Sequence, residues 1–295
     1  MGNEPIYLFS IDLEDIRLWM KNGTKYAERV PANTNAYLNW LSKYGFKCTF
    51  FVVGEVAALY PRLIEEIMAE GHELACHTYT HLPLTQHTPN TFEADLEANL
   101  QALRQAGVQQ VDGFRAPIFS LTEHTSWAYD ILKKKGFTYS SSVLPAHSPL
   151  FGWPQFGMAP QLVRPGLVEL PMSVDKIGPL TVPLAGGIYF RIVPFSLSKR
   201  KMLKRATAYD GQALLGYFHP YDIDTRQERF MHPGINNSWF YNFLMYQNRS
   251  KVFKRLDSLV QAGYRVCTYR EYLKNVNPNI TQRDISALSR AGSRT

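Results

Sequence analysis

The sequence predicts an α/β fold with a mainly parallel sheet and helices packed outside it. Three observations carry this reading. Short apolar runs alternate with amphipathic stretches in β-then-α order, the order that builds βαβ units. Helical stretches stop at Gly45, Gly71, Gly136 and Gly263, where a left-handed glycine ends a helix without steric cost. At 295 residues, 45% hydrophobic and 19% charged, the chain is too apolar to be disordered and fits one large α/β domain or two small ones. An open doubly wound sheet and a barrel both satisfy the pattern.

The elements follow in order. Ile6–Ile11 reads as a strand, Asn35–Tyr44 as a helix, and Cys48–Val53 as a strongly β-prone run. Pro61–Glu70 opens with a helix-compatible proline, and Glu73–Cys76 is a short strand. Asn90–Gln105 places Phe92, Leu96, Leu100 and Leu103 at helical spacing. Val111–Phe114 is a strand. Thr122–Lys135 is a helix with a lysine triplet in its last turn, which suits the negative helix end. Phe137–Ser142, Val168–Pro171, Ala213–His219 and Arg265–Thr268 read as strands, Leu197–Ala208 and Ser250–Ala262 as helices. Val143–Gly166 breaks the rhythm with prolines at 145, 149, 154, 160 and 165 and with Phe151, Trp153 and Phe156; it reads first as a long lid or binding loop without regular structure, with a passively packed loop as the alternative. The residues from Asn275 onward are polar and basic and read as a frayed tail or short surface helix.

Composition removes several function classes. Cys48, Cys76 and Cys267 are odd in number and form no CxxC pair, so neither a disulfide scaffold nor a cysteine zinc site is expected. No apolar run approaches the ~20 residues of a membrane span, and Met1-Gly-Asn-Glu-Pro shows no leader pattern, so the expectation is a soluble cytoplasmic protein. Neither GxGxxG nor GxxxxGK[ST] is present. The 32 Lys+Arg against 25 Asp+Glu give a net charge of +7, which suits anionic partners. With the charge dispersed and no recognition motif, nucleic acid is not among them.

Polar residues gather at predicted strand ends. The first strand runs into Asp12-Leu-Glu14-Asp15, with Asp12 and Glu14 on one face by alternation. Another runs into Cys76-His77-Thr-Tyr-Thr-His81, two histidines four apart that can converge on one metal. Arg115 stands before Ala-Pro117, and His219 ends the run Tyr217-Phe-His219-Pro220-Tyr-Asp-Ile-Asp224. Singly, each has a plain alternative: an exposed acidic strand end, a chance histidine pair, a surface arginine, a capped core histidine. His72, His87, His124, His147 and His232 sit in polar or loop contexts and read as non-catalytic. Taken together, two histidines with a carboxylate leave a metal an open position, a second carboxylate takes a proton from water, and a further histidine protonates a departing amine. That set describes metal-assisted hydrolysis of an amide or ester.

The motifs Ser10-Ile-Asp12-Leu-Glu14-Asp15, Thr49-Phe-Phe-Val-Val-Gly54, Glu70-Gly-His-Glu-Leu-Ala-Cys-His77-Thr-Tyr-Thr-His81, Phe114-Arg-Ala-Pro117 and Phe218-His219-Pro220 occur in an order that resembles the polysaccharide deacetylases, carbohydrate esterase family 4 with its NodB-homology domain. Leu184-Ala-Gly-Gly-Ile-Tyr-Phe-Arg191 and the His-Pro-Tyr-Asp-Ile-Asp run resemble the branch found in exopolysaccharide and O-antigen loci, which carries a C-terminal extension. The resemblance implies a distorted (β/α) barrel, seven-stranded, over residues 1–275, with residues 276–295 as tail. It implies a divalent metal, zinc first, with cobalt or nickel able to serve, and removal of an N-acetyl or similar acyl group from an amino sugar.

Carried over by position, Asp12 is the general base, Arg115 orients it, His219 is the general acid, and His77 and His81 are metal ligands. Glu14 is the first choice for the third ligand and Asp15 the second, because the run is Asp-Leu-Glu-Asp where many members have adjacent aspartates. Trp127, Trp153 and Tyr217 would wall the acyl or sugar pocket. The strand that elsewhere supplies an aspartate to the catalytic histidine reads Tyr139-Ser-Ser-Ser142 here, so Asp175 is the substitute candidate. The charge and the basic helix Lys199–Arg205 suggest a nucleotide- or polyprenyl-phosphate-linked substrate and peripheral contact with the inner face of the membrane. Two other readings are a C–N hydrolase acting on a non-sugar cyclic amide, and a carbohydrate-binding pseudoenzyme motivated by the missing aspartate.

Overall fold

Alternating, branched and aromatic residues make Ile6–Leu13 the first strand, β1, with both faces covered. A computed structural model describes residues 4–148, 150–208, 213–235 and 237–275. After β1 come α1 (Val30–Lys43), β2 (Thr49–Val52), α2 (Gly54–Leu59), α3 (Pro61–Ala69), β3 (Glu73–Cys76), α4 (Pro89–Gln105), β4 (Gly113–Phe114), α5 (Ala128–Lys134) and β5 (Tyr139–Ser140). The second half adds β6 (Gln161–Arg164), β7 (Leu167–Glu169), a β8 (Asp175–Ile177) and β9 (Leu180–Val182) hairpin, α6 (Gly187–Ile192), α7 (Phe195–Ala208), β10 (Leu214–Phe218), α8 (Trp239–Met245), α9 (Val252–Val260), β11 (Arg265–Val266) and α10 (Tyr269–Asn275).

Among the described residues seven strands follow one another in parallel, in the order β10-β1-β2-β3-β4-β5-β7. β6 flanks β7 antiparallel, and β11 joins the start of β1. The two ends of the sheet meet without a ladder: Leu215 N–H donates to Ser173 Oγ at 2.9 Å, just past β7. This is a distorted (β/α) barrel. One sheet runs from β1 to β11, so the first and last thirds of the chain share it.

The helices bury the stripes expected of them. α4 carries a Thr88–Thr91 capping box and buries Phe92, Leu96, Asn99 and Leu103 at three- and four-residue spacing. α9 buries Val252, Leu256 and Leu259. α1 begins at Val30, five residues earlier than the periodicity suggests, because Pro31 seeds its first turn. α5 is shorter than expected, and Glu123–Thr125 before it is a separate 3₁₀ turn. The segment 143–166 follows the packed alternative rather than the lid, and it is not wholly irregular. It contains β6, and Val143, Leu144, Ala146, Trp153, Phe156 and Val163 are buried, so its aromatics cover the barrel wall. Pro149 and the tail 276–295 lie outside the described residues. Among the described residues no helix is long and apolar enough to cross a membrane.

His72, one of the histidines read as non-catalytic, holds a structural position. It sits at the turn into β3, its ring is buried, and its Nδ1 accepts the Cys48 N–H at 3.1 Å. Burial, and then the nearby Lys47 charge, holds its pKa down to about 4. The folded state therefore requires the neutral ring. This contribution is complete above the unfolded value of about 6.5 and is lost as pH falls from there towards about 4. In urea unfolding at pH 7 and pH 4.5, His72→Asn keeps an acceptor near the Nδ1 position and is expected to lose about 2 kcal/mol less stability on acidification than the parent chain. Identical acid sensitivity in both proteins would rule this out.

Candidate active site

The parallel sheet places the C-terminal ends of β1, β3, β4 and β10 on one rim, the position where barrel side chains from different strands converge. Asp12 lies in β1 and Glu14 directly after it, His77 follows β3, Arg115 follows β4, and His219 follows β10.

Arg115 is fully buried and hydrogen-bonded on all sides. Nη1 donates to Asp12 Oδ1 at 2.5 Å and to Ser10 Oγ at 2.8 Å. Nε donates to the Ser141 carbonyl at 3.0 Å and Nη2 to Tyr269 Oη at 2.9 Å. Its guanidinium lies 3.9 Å from the Phe51 ring centre. Burial opposes the charge, but Asp12 together with Tyr269 and Tyr139 outweighs it, and the guanidinium is held as a cation. Asp12 is thereby fixed in one orientation beside β1.

Glu14, His77 and His81 offer one ligand atom each within 4.8 Å of one another. His77 Nδ1 lies 2.8 Å from the Arg115 carbonyl. A carbonyl only accepts, so Nδ1 carries the proton and Nε2 presents its lone pair. Burial and then the His81 charge hold His77 well below the ordinary histidine range, as a neutral imidazole. His81 Nε2 sits 2.9 Å from Glu14 Oε2, and its ring stacks on Trp19 at 4.0 Å. Burial pushes Glu14 up, yet His219, then His81 and His77, bring it below the usual carboxylate value.

The loop between the two histidines is strained. Thr78 and His81 both adopt left-handed backbone, at φ 61° and 57°, conformations that cost of order 1–3 kcal/mol each for such residues. Surrounding groups hold them there. The Asp95 carboxylate accepts from Tyr79 N–H (2.6 Å), Thr80 N–H (3.2 Å) and Thr80 Oγ1 (2.7 Å). Asn99 Nδ2 donates to the Thr78 and Val52 carbonyls, and Gly54 N–H also donates to Thr78 O. A Cβ at Gly54 would lie 2.3 Å from the Tyr79 ring; only glycine admits this approach.

His219 faces the cluster from β10, with Nε2 3.8 Å from Glu14 Oε1. Its Nδ1 is 2.9 Å from Asp222 Oδ2, and its backbone N–H donates to the same oxygen at 2.8 Å. Arg191 Nε lies 2.9 Å from Asp222 Oδ1, with both side chains buried. Burial pulls the His219 pKa down, but Glu14 first and then Asp222 raise it to about 9. Burial likewise opposes the Asp222 charge, and Arg191 and then His219 hold that carboxyl far below its usual value.

The rim thus brings Asp12, Arg115, Glu14, His77, His81 and His219 together. Tyr217 belongs beside them, half-buried and 5.6 Å from the His219 ring centre. Three expectations are corrected by geometry. Asp15 turns away to Arg17, 2.6 Å off, where it caps a 3₁₀ turn. Asp175 lies in the β8–β9 hairpin and pairs with Lys201 at 3.0 Å; Asp222 occupies the place beside His219. Trp153 is buried against Phe156, and Trp127 packs edge-on to Phe92 in the helical layer. Trp153 thus covers apolar wall, while Trp127 is partly buried against the same cluster. Sequence reasoning missed Asp222, Arg191, Trp19 and Asp95. For Asp222 a signal was available, a carboxylate three residues after a strand-end histidine, the spacing of a capping box.

Comparison with known proteins bears on the same segments. Residues 22–140 match the family model "Polysaccharide deacetylase", and residues 141–274 match "Domain of unknown function (DUF3473)". A chitooligosaccharide deacetylase of Bradyrhizobium sp. is 34% identical over 103 residues, 35% of this chain and 44% of that protein. One from Sinorhizobium fredii is 36% identical over 104 residues, 35% of this chain and 45% of the other. The chain thus spans less than half the length of these relatives. Among solved structures, a candidate polysaccharide deacetylase from Mycobacterium smegmatis superposes with TM-score 0.59 at 18% identity, covering 96% of this chain and 99% of that one. A carbohydrate esterase family 4 pseudoenzyme from Bacillus anthracis gives 0.52 at 13% identity, with 96% and 69% covered. The structural likenesses speak for the barrel fold. The barrel, the motifs on its rim and the family match over residues 22–140 thus coincide on the polysaccharide deacetylase pattern.

Proposed function

We propose that this chain is a metal-dependent hydrolase that removes an N-acetyl group from an amino sugar in a cell-surface glycan precursor. The observation that carries this reading is the convergence of the Glu14, His77 and His81 donor set with the Asp12–Arg115 and His219–Asp222 pairs on one rim. The donors fit a divalent ion of the zinc type: two imidazoles, one of them with its proton committed to a carbonyl, and one carboxylate, a three-ligand set that leaves a position open. Cobalt or nickel suits the same donors. Such an ion would polarise the acyl carbonyl and lower the pKa of a water molecule.

The remaining work falls to the chain. Asp12, oriented by Arg115, takes a proton from the attacking water as its oxygen bonds to the acyl carbon. His219 gives its Nε2 proton to the sugar nitrogen as the C–N bond breaks, so that carboxylate and free amine leave. Asp222 fixes the His219 ring through Nδ1 and favours its protonated form, and Tyr217 lines the approach. Asp222 also removes the motive for a pseudoenzyme reading, since the supporting carboxylate is present. The donor set weighs against metal-free hydrolysis of a cyclic amide.

The carrier we propose is nucleotide- or polyprenyl-phosphate-linked, in keeping with the +7 charge and with a role in exopolysaccharide or O-antigen synthesis. A cytoplasmic setting accords with three buried cysteines that are all free thiols.

Two outcomes are expected. His77→Ala and His81→Ala each lower bound zinc at least tenfold and abolish amine release from N-acetyl amino sugars; unchanged metal content and turnover would show the assignment to be wrong. Asp222→Asn lowers kcat about 10²-fold with KM changed less than about twofold, whereas Asp175→Asn leaves both near the parent values. Equal effects of the two substitutions in steady-state kinetics would contradict the His219–Asp222 pairing.

A further inference from the structure

The connection from β10 to α9 is a βα loop, so it belongs to the rim that carries His219. At its outer edge stands α8, whose sequence is Trp-Phe-Tyr-Asn-Phe-Leu-Met and none of whose residues is buried. Trp239 is 80% exposed, Phe240 66%, Phe243 59% and Tyr241 49%. At 3.6 residues per turn, Trp239, Phe240 and Phe243 fall within an arc of about 100°. They form one apolar stripe that faces solvent.

The helix is pinned from behind. Ser238 caps it through Tyr241 N–H, Asn242 Oδ1 accepts the His232 N–H, and Arg191 Nη1 and Arg249 Nε both donate to the Met245 carbonyl. The aromatic rings are therefore held outward by a fixed backbone. The surrounding segment is cationic: between residues 226 and 254 stand Arg226, Arg229, Arg249, Lys251 and Lys254, against Glu228 alone. Glu228 accepts the Ala27 N–H, Arg229 lies over the Tyr246 ring at 4.2 Å, and Arg226, Arg229, Lys251 and Lys254 are exposed.

We propose that α8 is a membrane-interface helix that seats the catalytic rim on an anionic lipid bilayer. Trp and Tyr rings suit the headgroup level, phenylalanine the acyl boundary, and the flanking cations the lipid phosphates. A sugar-binding platform would combine ring faces with hydrogen-bonding side chains, which Phe240 and Phe243 lack. The expected basic helix, α7, is less suited to the task. Lys199 donates to Ser258 Oγ at 2.8 Å, Lys201 pairs with Asp175, and Arg205 reaches the Val174 carbonyl. The inference concerns binding and does not depend on the proposed reaction.

The test uses the full chain and sedimentation with phosphatidylcholine vesicles containing roughly one-third phosphatidylglycerol. The parent protein is expected to co-sediment. Binding falls about tenfold on pure phosphatidylcholine or at high salt, and at least tenfold when Trp239→Ser, Phe240→Ser and Phe243→Ser are combined. An unchanged circular dichroism melting curve shows that the variant folds. Failure of the parent to bind the anionic vesicles, or equal binding by the variant, would overturn the proposal. Concentration-dependent dimerisation that the variant abolishes, without vesicle binding, would instead assign the stripe to a second copy of the chain.

Discussion

A buried guanidinium organises this barrel. Arg115 carries a full charge where water does not reach, and such a charge is tolerated only when its donors are met. They are met by β1 through Asp12 and Ser10, by the chain after β5 through Ser141, and by α10 through Tyr269, with the Phe51 ring of β2 beneath. Strands that are far apart in sequence are thus drawn to one polar centre at the rim. The Arg115 carbonyl also orients His77, so one residue positions both the proposed base and a proposed metal donor. Removal of Arg115 would leave the Asp12 carboxylate buried without its cation, a defect that costs several kcal/mol.

Much of the rim is legible in the sequence because parallel strands deliver their last residues to the same face. Asp12, His77, Arg115 and His219 each stand at the end of an apolar run, and a β-then-α rhythm suffices to bring such ends together. What the sequence hides is partner choice. The expected aspartate is absent from Tyr139–Ser142, and those serines serve other groups: Ser141 meets Arg115, while the Ser142 N–H donates to Glu169. The carboxylate for His219 comes instead from three residues downstream, by a turn whose local geometry the strand pattern does not encode. Aromatic loops are equally ambiguous. Trp153 and Trp239 both lie outside the elements that the sequence predicts, yet one is buried and the other largely exposed, because exposure depends on which wall the segment meets.

Two of the left-handed residues lie at the proposed donors. Left-handed Thr78 and His81 persist because Asp95, Asn99 and Gly54 leave the loop no relaxed alternative, and the stack on Trp19 fixes the second imidazole from the outer side. A site so held has its donors arranged before any ion arrives, which lowers the ordering cost of binding.

The shared sheet has a further meaning. The donor set and the base lie in the first 115 residues, whereas His219, Asp222, Arg191 and Tyr269 all belong to the segment matched as a domain of unknown function. On the proposed mechanism, half of the proton inventory is therefore encoded after residue 140. The two regions are inherited usefully only as a pair. On that mechanism, a transplant of residues 22–140 alone would carry the proposed ligands His77 and His81 without the proposed acid, and the boundary between the two family matches would divide one catalytic unit.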